Sequence, residues 1–238
     1  MGFLHEHDDA GVLRDLALDL TEDDVLRGQG ADPQALRRRR PALAQLAGRA
    51  LELGRPLIAP AVAWRLLAVE GLRHGRLGLA GGAALHGTLL ASHLGGARRL
   101  VALVCTIGPG VEERSAREAQ DDTLLALALD GLGSAAAEAL AAAVVRILED
   151  EAAAGGQHVS LPLGPGMIGW PVEQGQAELF ALVDAEAAGV RLNEGGMMLP
   201  RKTLSFVVGV GDEQLHKGRA CDLCTLRETC RYQDHYPA

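Results

Sequence analysis

The sequence is poor in aromatic residues, in cysteine and in continuous basic stretches, and these shortages limit what the protein can do. Aromatic residues make up 3% of the 238 residues, yet 48% are hydrophobic, which is enough to bury the core of one large domain or two small ones. Acidic residues outnumber basic ones by 31 to 23, for a net charge of −8, so the chain lacks the broad positive field of a phosphate-backbone binder. We therefore expect no nucleic-acid partner. The one dense basic run, Arg37 to Arg40, indicates a solvated helix face, with a docking patch for an acidic partner as the alternative.

The sequence also lacks the segments that direct a chain into or across a membrane. Its first nine residues contain no cationic region followed by an apolar stretch, so no secretory signal is predicted. The longest apolar-rich stretch, Thr123 to Leu148, is interrupted by Asp130, Glu138 and Arg146, which favours a buried or amphipathic helix over a membrane span. We predict a cytoplasmic protein without a membrane partner.

Two common nucleotide and hydrolase motifs are missing as well. The chain has neither a Gly-x-Ser-x-Gly nucleophile elbow nor a phosphate-binding P-loop. The segment Gly131 to Ala136 superficially matches a dinucleotide fingerprint, but helical sequence flanks it and no strand precedes it. No catalytic residue can be named from these patterns.

Helical and extended patterns alternate irregularly along the chain, which favours an α+β fold with a mixed sheet over a doubly wound fold. Helices are predicted at 21–28, at 32–54 with a possible kink at Pro41, and at 83–94, 111–120, 123–151 and 171–188. Strands are predicted at 12–20, at two or three places within 56–79, at 99–106 as a central sheet strand, and at 190–192, 197–199 and 203–209. We expect a flexible tail at 1–11, a globular domain at 12–212 and a cysteine-rich tail at 213–238.

The cysteine-rich tail carries the firmest local signal for chemistry. In a reducing compartment, three of four cysteines within ten residues favour metal binding over disulfides. The Cys-x2-Cys spacing of Cys221 and Cys224 lets two soft thiolates converge on one centre, and Cys230 supplies a third. An iron–sulfur cluster is the preferred occupant and structural zinc is the alternative. The candidates for a fourth ligand are Asp234, His235, His216 and Cys105.

Glu138 is the second residue of interest. It is a carboxylate on an alanine-lined helix face, where burial is unfavourable unless the charge meets water, a cation or a hydrogen-bond donor. By itself the pattern predicts an exposed side chain.

Four segments taken together suggest a family. They run from Thr106 to Glu113, from Asp130 to Glu138, from Gly164 to Pro171 and from Gly189 to Ser205. In order and spacing they resemble the activation domain of cobalamin-dependent methionine synthase, and they look closest to its stand-alone relatives. The resemblance extends from about Leu13 to Val210 and leaves the cysteine tail outside it. The tail's own spacing, with Asp234 in place of a last cysteine, resembles that of auxiliary clusters in some radical enzymes.

The resemblance implies a twisted, largely antiparallel sheet with flanking helices that binds S-adenosylmethionine and serves the reactivation of cobalamin. It implies that Glu138 holds the amino group of S-adenosylmethionine, and that Gly164, Pro165, Gly166 and Met167 form the loop of backbone contacts to the ligand. Two positions depart from the family: Pro162 stands where an Arg is usual, and Met167 where a Tyr is usual. Because Pro cannot make the bidentate contact of an Arg with a carboxylate, the departure counts against S-adenosylmethionine as a cofactor unless Arg201 or Lys202 supplies the cation.

Three functions follow as hypotheses. The first is an accessory protein that docks on a corrinoid protein or cobalamin-dependent methyltransferase and reduces its cobalt through the C-terminal iron–sulfur cluster. The second is a non-catalytic binding module for a corrinoid protein or tetrapyrrole, with a zinc-stapled tail. The third is S-adenosylmethionine-dependent methylation of a corrinoid, for which Glu138 is the main support.

Overall fold

The centre of the fold is an antiparallel sheet of seven strands flanked by helices. The structure, a computed structural model, describes residues 2–4, 9–215, 220–224 and 227–229. The sheet strands are β1 (Ala10–Arg14), β2 (Ala61–Arg73), β3 (Arg76–Leu79), β4 (Ala84–His86), β5 (Arg99–Thr106), β6 (His158–Val159) and β9 (Thr203–Gly211). Their order is β4-β3-β2-β5-β9-β6, with β1 pairing with β2, and all strand pairs among the described residues are antiparallel. β7 (Arg191–Leu192) and β8 (Met198–Leu199) form a separate small hairpin.

Seven α-helices accompany these strands in the described residues. They are α1 (Glu22–Gly28), α2 (Pro33–Arg39), α3 (Pro41–Gly54), α4 (Thr88–Leu94), α5 (Gly110–Glu118), α6 (Thr123–Ala154) and α7 (Val172–Leu182). Short 3-10 segments lie at 55–57, 80–82, 186–188 and 220–223. This mixture of helices with an antiparallel sheet confirms the predicted α+β class.

The sheet separates two apolar cores, because successive side chains of a strand point to opposite faces. Along β5, Leu103 and Cys105 belong to the core that packs under α1, α3 and α6. Ala102 and Val104 belong to the opposite core, which includes residues of α4 and α7. Since both faces of β5 are covered, its uninterrupted apolar run is the sequence pattern of a doubly buried strand, as predicted.

α6 is the core helix of the domain. Its length and composition alone would also suit a membrane span, and half of its most apolar stretch is buried inside the protein. α1, α3 and α5 pack on it from outside, and β5 and β9 lie under it. The Asp122 side chain caps its first turn by accepting a hydrogen bond from the Leu125 N–H at 3.0 Å.

Two glycines allow α1 and α6 to touch. A Cβ added at Gly28 would overlap the carbonyl oxygen of Gly131, and one added at Gly131 would lie 2.8 Å from the carbonyl oxygen of Val25. Close helix packing therefore accounts for Gly131, the first residue of the segment that superficially matched a dinucleotide fingerprint.

Several element boundaries differ from the predictions. The helix expected at 32–54 is divided at Arg40, which leaves the helical region (φ −144°, ψ 63°) because the residue before a proline is pushed out of it. The helix expected from 83 begins at Thr88, and the preceding residues form β4 against β3. The helix expected at 171–188 ends at Leu182, and a 3-10 turn at 186–188 is closed by Gly189 in the left-handed conformation (φ 78°).

The N-terminal segment is attached to the domain where it is described. β1 begins at Ala10, inside the segment expected to be a flexible tail, and ends at Arg14, well before the predicted strand end at residue 20. Phe3 is buried with its ring edge-on to Trp64, at a centroid distance of 5.5 Å. The N–H groups of Phe3 and Leu4 both donate to one carboxylate oxygen of Glu151, at 2.8 and 3.0 Å.

Candidate functional site

The loop predicted to contact a ligand, Gly164–Met167, is fixed to the edge of β9. Leu163 and Val207 exchange two backbone hydrogen bonds of 2.9 and 2.8 Å just before the loop begins. A Cβ at Gly164 would lie 3.2 Å from the carbonyl oxygen of Ser205, so a bulkier residue would crowd the strand. Gly166 has φ 99°, in a region that L-residues with side chains rarely adopt. We call Gly164–Met167 the ligand loop.

Buried Trp170 supports the base of the ligand loop. The backbone N–H of Trp170 donates to the Met167 carbonyl at 3.0 Å, and the Trp170 carbonyl accepts from the Gly166 N–H at 2.8 Å. Its indole ring is fully buried and packs closely against Gly87 and Gly175, and the indole N–H has no partner among the described residues. The far side of the loop is thus held by a rigid aromatic anchor.

Glu138, the predicted acidic ligand residue, is exposed on α6, as its sequence pattern indicates. Although the side chain reaches solvent, the protein packed around its carboxyl group removes part of its water shell. This desolvation raises the pKa of Glu138 above its ordinary value. A cationic ligand group would relieve this penalty.

The geometry of α6 and β9 fixes the position of Glu138 along the sheet. Lys202, directly before β9, lies against Gly133 and Ser134 of α6. β6, the strand that follows α6, pairs with the far end of β9. α6 and β9 therefore run in the same direction. The four residues from Ser134 to Glu138 advance roughly 6 Å along a helix, and about two strand residues cover the same distance. Along the sheet, Glu138 is therefore level with the first half of β9. α6 packs on the core of one face, whereas Met167 of the ligand loop packs against the core of the other face.

The two cations that the sequence offered as substitutes for the family Arg already have acidic partners. The Arg201 side chain donates to one Glu112 carboxylate oxygen at 2.6 Å, its backbone N–H donates to the other at 2.9 Å, and these contacts raise the pKa of Arg201. Lys202 Nζ lies 2.8 Å from an Asp130 carboxylate oxygen and donates to Ser134 Oγ at 2.9 Å. Recruiting either cation to a ligand carboxylate requires breaking an existing ion pair.

The cysteine turn, residues 220–224, is a tight backbone turn that carries Cys221 and Cys224. The Cys224 N–H donates to the Cys221 carbonyl at 3.3 Å. Both cysteines are half-buried and neither is in a disulfide. The arrangement fits the thiolate pair that a Cys-x2-Cys motif offers to a soft metal.

The structure brings the cysteine turn and the ligand loop into contact. Cys224 and Met167 form an antiparallel bridge, and the Ile168 N–H donates to the Leu223 carbonyl at 2.8 Å. Leu223 packs against the core on that side of the sheet. Two sites that the sequence presented separately are thus neighbours, which no local pattern could have indicated.

Of the other predicted metal ligands, only Cys105 is among the described residues. Cys230 and Asp234, like His235 and His216, lie outside the described residues. Within the described ranges, no group of three or more His, Cys, Asp or Glu side chains is placed to hold a metal. Cys105 was wrong as a fourth-ligand candidate, because it is fully buried in the core under α6, on the other face of the sheet from Leu223, and burial raises the pKa of its thiol.

A cavity of about 430 Å³ between α5 and the β7–β8 hairpin was not anticipated from the sequence. Its wall carries both signs of charge, from Glu112, Glu113, Arg191 and Arg201. These residues come from three separate segments, so only the tertiary fold assembles them.

Comparisons with known proteins identify the fold. No protein-family model matches the chain, and no curated protein matches it. Among solved structures, it is similar to a crystal structure of the MetH reactivation domain bound to AdoHcy, with a TM-score of 0.64 and 15% sequence identity. The match covers 90% of this chain and 83% of that one. At this identity the likeness shows the fold, which is the one that the sequence motifs implied.

Proposed function

We propose that the protein assists the reductive reactivation of a corrinoid protein, with an iron–sulfur cluster at the cysteine turn as the electron donor. The observation that carries the proposal is the contact between the cysteine turn and the ligand loop, through the 2.8 Å hydrogen bond from Ile168 to Leu223. The likeness to a domain described as a reactivation domain supports the corrinoid setting. A cluster beside the ligand loop suits a protein that presents the cluster and the loop to the same partner.

The proposed cluster ligands are Cys221, Cys224, Cys230 and Asp234. Cys221 and Cys224 are half-buried, which suits a site that is shielded from water on one side and open to a partner on the other. A cluster held there supplies one electron at a time, which is what the conversion of Co(II) to Co(I) in the partner's corrinoid consumes. The proposed partner is a corrinoid protein or a cobalamin-dependent methyltransferase.

A second candidate function is S-adenosylmethionine-dependent methylation of the corrinoid, and Glu138 is the observation that favours it. In this proposal Glu138 binds the ligand's amino group, and Gly164, Pro165, Gly166 and Met167 contribute backbone contacts. An exposed carboxylate whose pKa is raised by desolvation is well suited to receive a cation. Pro162, which has no donor, and the paired state of Arg201 and Lys202 leave the ligand's carboxylate less well served.

Metal analysis of the full-length protein, purified without oxygen, tests the leading proposal. We expect iron and acid-labile sulfide, together with broad visible absorption that is lost in the double variant Cys221→Ser/Cys224→Ser. The reduced protein should then convert cob(II)alamin bound to a purified cobalamin-binding domain to the Co(I) form, followed by its absorption spectrum. A colourless protein that contains zinc would instead support the zinc-stapled binding module, and absence of iron and sulfide would contradict the electron-transfer role.

A further inference from the structure

The ligand loop depends on contacts from outside itself. It lies in a stretch with glycines at 164, 166 and 169, of which Gly166 (φ 99°) and Gly169 (φ 87°) are in the left-handed region. Glycine loses more conformational freedom on ordering than any other residue. Ile168, directly after the loop, leaves 56% of its surface exposed, so burial of its side chain contributes little to fixing this end of the loop.

The cysteine turn provides two of these outside contacts. One is the antiparallel bridge between Met167 and Cys224, and the other is the hydrogen bond from the Ile168 N–H to the Leu223 carbonyl. Both depend on the backbone shape of the turn, which is closed by the Cys224 N–H to Cys221 carbonyl bond of 3.3 Å. Any change that opens the turn removes its hold on the loop.

Metal binding to the two thiols favours the closed turn, because a Cys-x2-Cys pair can only bind one centre when its backbone is folded. We propose that loading the cysteine turn with a metal orders the ligand loop, so that metal occupancy regulates ligand binding at the loop. The inference rests on the proposed function in taking the turn as a metal site. Coupling between two sites is reciprocal, so an ordered loop must also tighten metal binding.

The forward direction of the coupling is tested by amide hydrogen exchange with zinc as the probe, since Zn²⁺ binds thiolates without redox chemistry. We expect addition of Zn²⁺ to the reduced, metal-free, full-length protein to slow exchange of the Ile168 amide. In Cys221→Ser/Cys224→Ser, zinc should leave that exchange unchanged. Zinc that does not bind, or that binds without protecting Ile168, overturns the inference.

The reverse direction is tested by two glycine substitutions of the same kind. In Gly166→Ala the new methyl would lie 3.0 Å from a Val172 side-chain carbon at φ 99°, which distorts the ligand loop. Gly156→Ala also places an alanine at positive φ (69°), but in open space, at the turn after α6. Gly166→Ala should raise the zinc dissociation constant by about fivefold or more, since about fivefold is the lower end of the affinity changes that coupled sites typically show. Gly156→Ala should not, and equal zinc affinities in the two variants would count against the coupling.

The coupling and the proposed function fail in separate ways. Iron and sulfide analysis decides whether the turn holds a cluster, whereas zinc-dependent protection of Ile168 decides whether the turn controls the loop. A protein without iron whose Ile168 amide is protected by zinc would keep the coupling and refute the electron donor. A protein that contains a cluster but shows no zinc-dependent protection of Ile168 would keep the electron donor and refute the coupling.

Discussion

At the scale of single residues, Glu138 combines solvent exposure with a charge that the fold disfavours. Because the pKa of Glu138 is raised in the folded state, the ionised carboxylate lowers stability above that pKa, and the penalty disappears below the unfolded pKa. Glu138→Gln should therefore be at least as stable as the natural protein at neutral pH, with the difference lost in acid. Urea unfolding at neutral and acidic pH measures this, with the exposed Glu149→Gln on the same helix as the control.

Ligand binding should respond to Glu138 in the opposite sense. If its carboxylate receives the amino group of S-adenosylmethionine, binding requires the ionised form, so affinity should rise with pH through the raised pKa of Glu138 and then level off. Glu138→Gln should weaken binding by about tenfold or more, the effect of losing a hydrogen bond to a charged group, and should remove this pH dependence. Titration calorimetry with S-adenosylmethionine and AdoHcy measures both effects. Unchanged binding in Glu138→Gln would contradict the assignment.

The cysteines should differ sharply in reactivity. Cys105 is fully buried and its raised pKa keeps it as a thiol, whereas Cys221 and Cys224 are half-buried. In the native, metal-free protein a maleimide should label Cys221 and Cys224 and spare Cys105 until urea unfolds the chain. Cys105→Ala should lower stability by roughly 1–2 kcal/mol, as expected for a small buried truncation, and leave metal content unchanged. Loss of metal in Cys105→Ala would return Cys105 to the ligand set.

The sequence was informative about residues where the signal was local. The spacing of Cys221 and Cys224 is contained in four positions and needs no knowledge of the fold. The exposure of Glu138 followed from its alanine-lined helix face. The contact of Cys224 with Met167 was not predictable, because it depends on how β9 and the tail return the chain to a loop far upstream.

At the scale of elements, long continuous sequence patterns predicted helices and strands correctly, whereas a short strand that depends on its pairing partner was missed. β5 and the core of α6 have the predicted bounds to within a few residues, because an apolar run and a long helical composition dominate any local alternative. β4 was missed because its three residues become a strand only by pairing with β3. The flanking Leu-rich sequence of α4 extended the helical pattern across it.

The contact between α1 and α6 gives a prediction about packing. Gly28→Ala should lower the free energy of unfolding by about 1–3 kcal/mol or more, because its methyl would overlap the Gly131 carbonyl, which is backbone and cannot easily move. Gly48→Ala is the matched control, since its methyl would meet only the end of the flexible Glu22 side chain, 2.8 Å away. Alanine favours a helix over glycine by roughly 1 kcal/mol, so Gly48→Ala should be neutral or stabilising. Chemical denaturation of both variants checks the difference in sign.

At the scale of the whole molecule, the described residues of both apolar cores come mainly from before position 212. The described part of the tail adds Leu215 and Leu223, both to the core that includes residues of α4 and α7. Replacing both cysteines of the turn leaves these contacts in place. The double variant Cys221→Ser/Cys224→Ser should therefore melt within about 2 °C of the metal-free natural protein, because serine is close to cysteine in size and both positions are partly exposed, while it loses metal binding. Thermal melting followed by circular dichroism measures this, and a collapse of the fold would show that the thiols have a structural role.

The separation of the two cores by the sheet has a practical consequence. The protein has two tryptophans, and Trp64 lies in the core under α6, whereas Trp170 lies in the opposite core at the base of the ligand loop. The two indoles are therefore intrinsic fluorophores that report on different halves of the molecule. In a Trp64→Phe background, the emission of Trp170 alone would follow events at the loop and the cysteine turn in real time, without any attached dye.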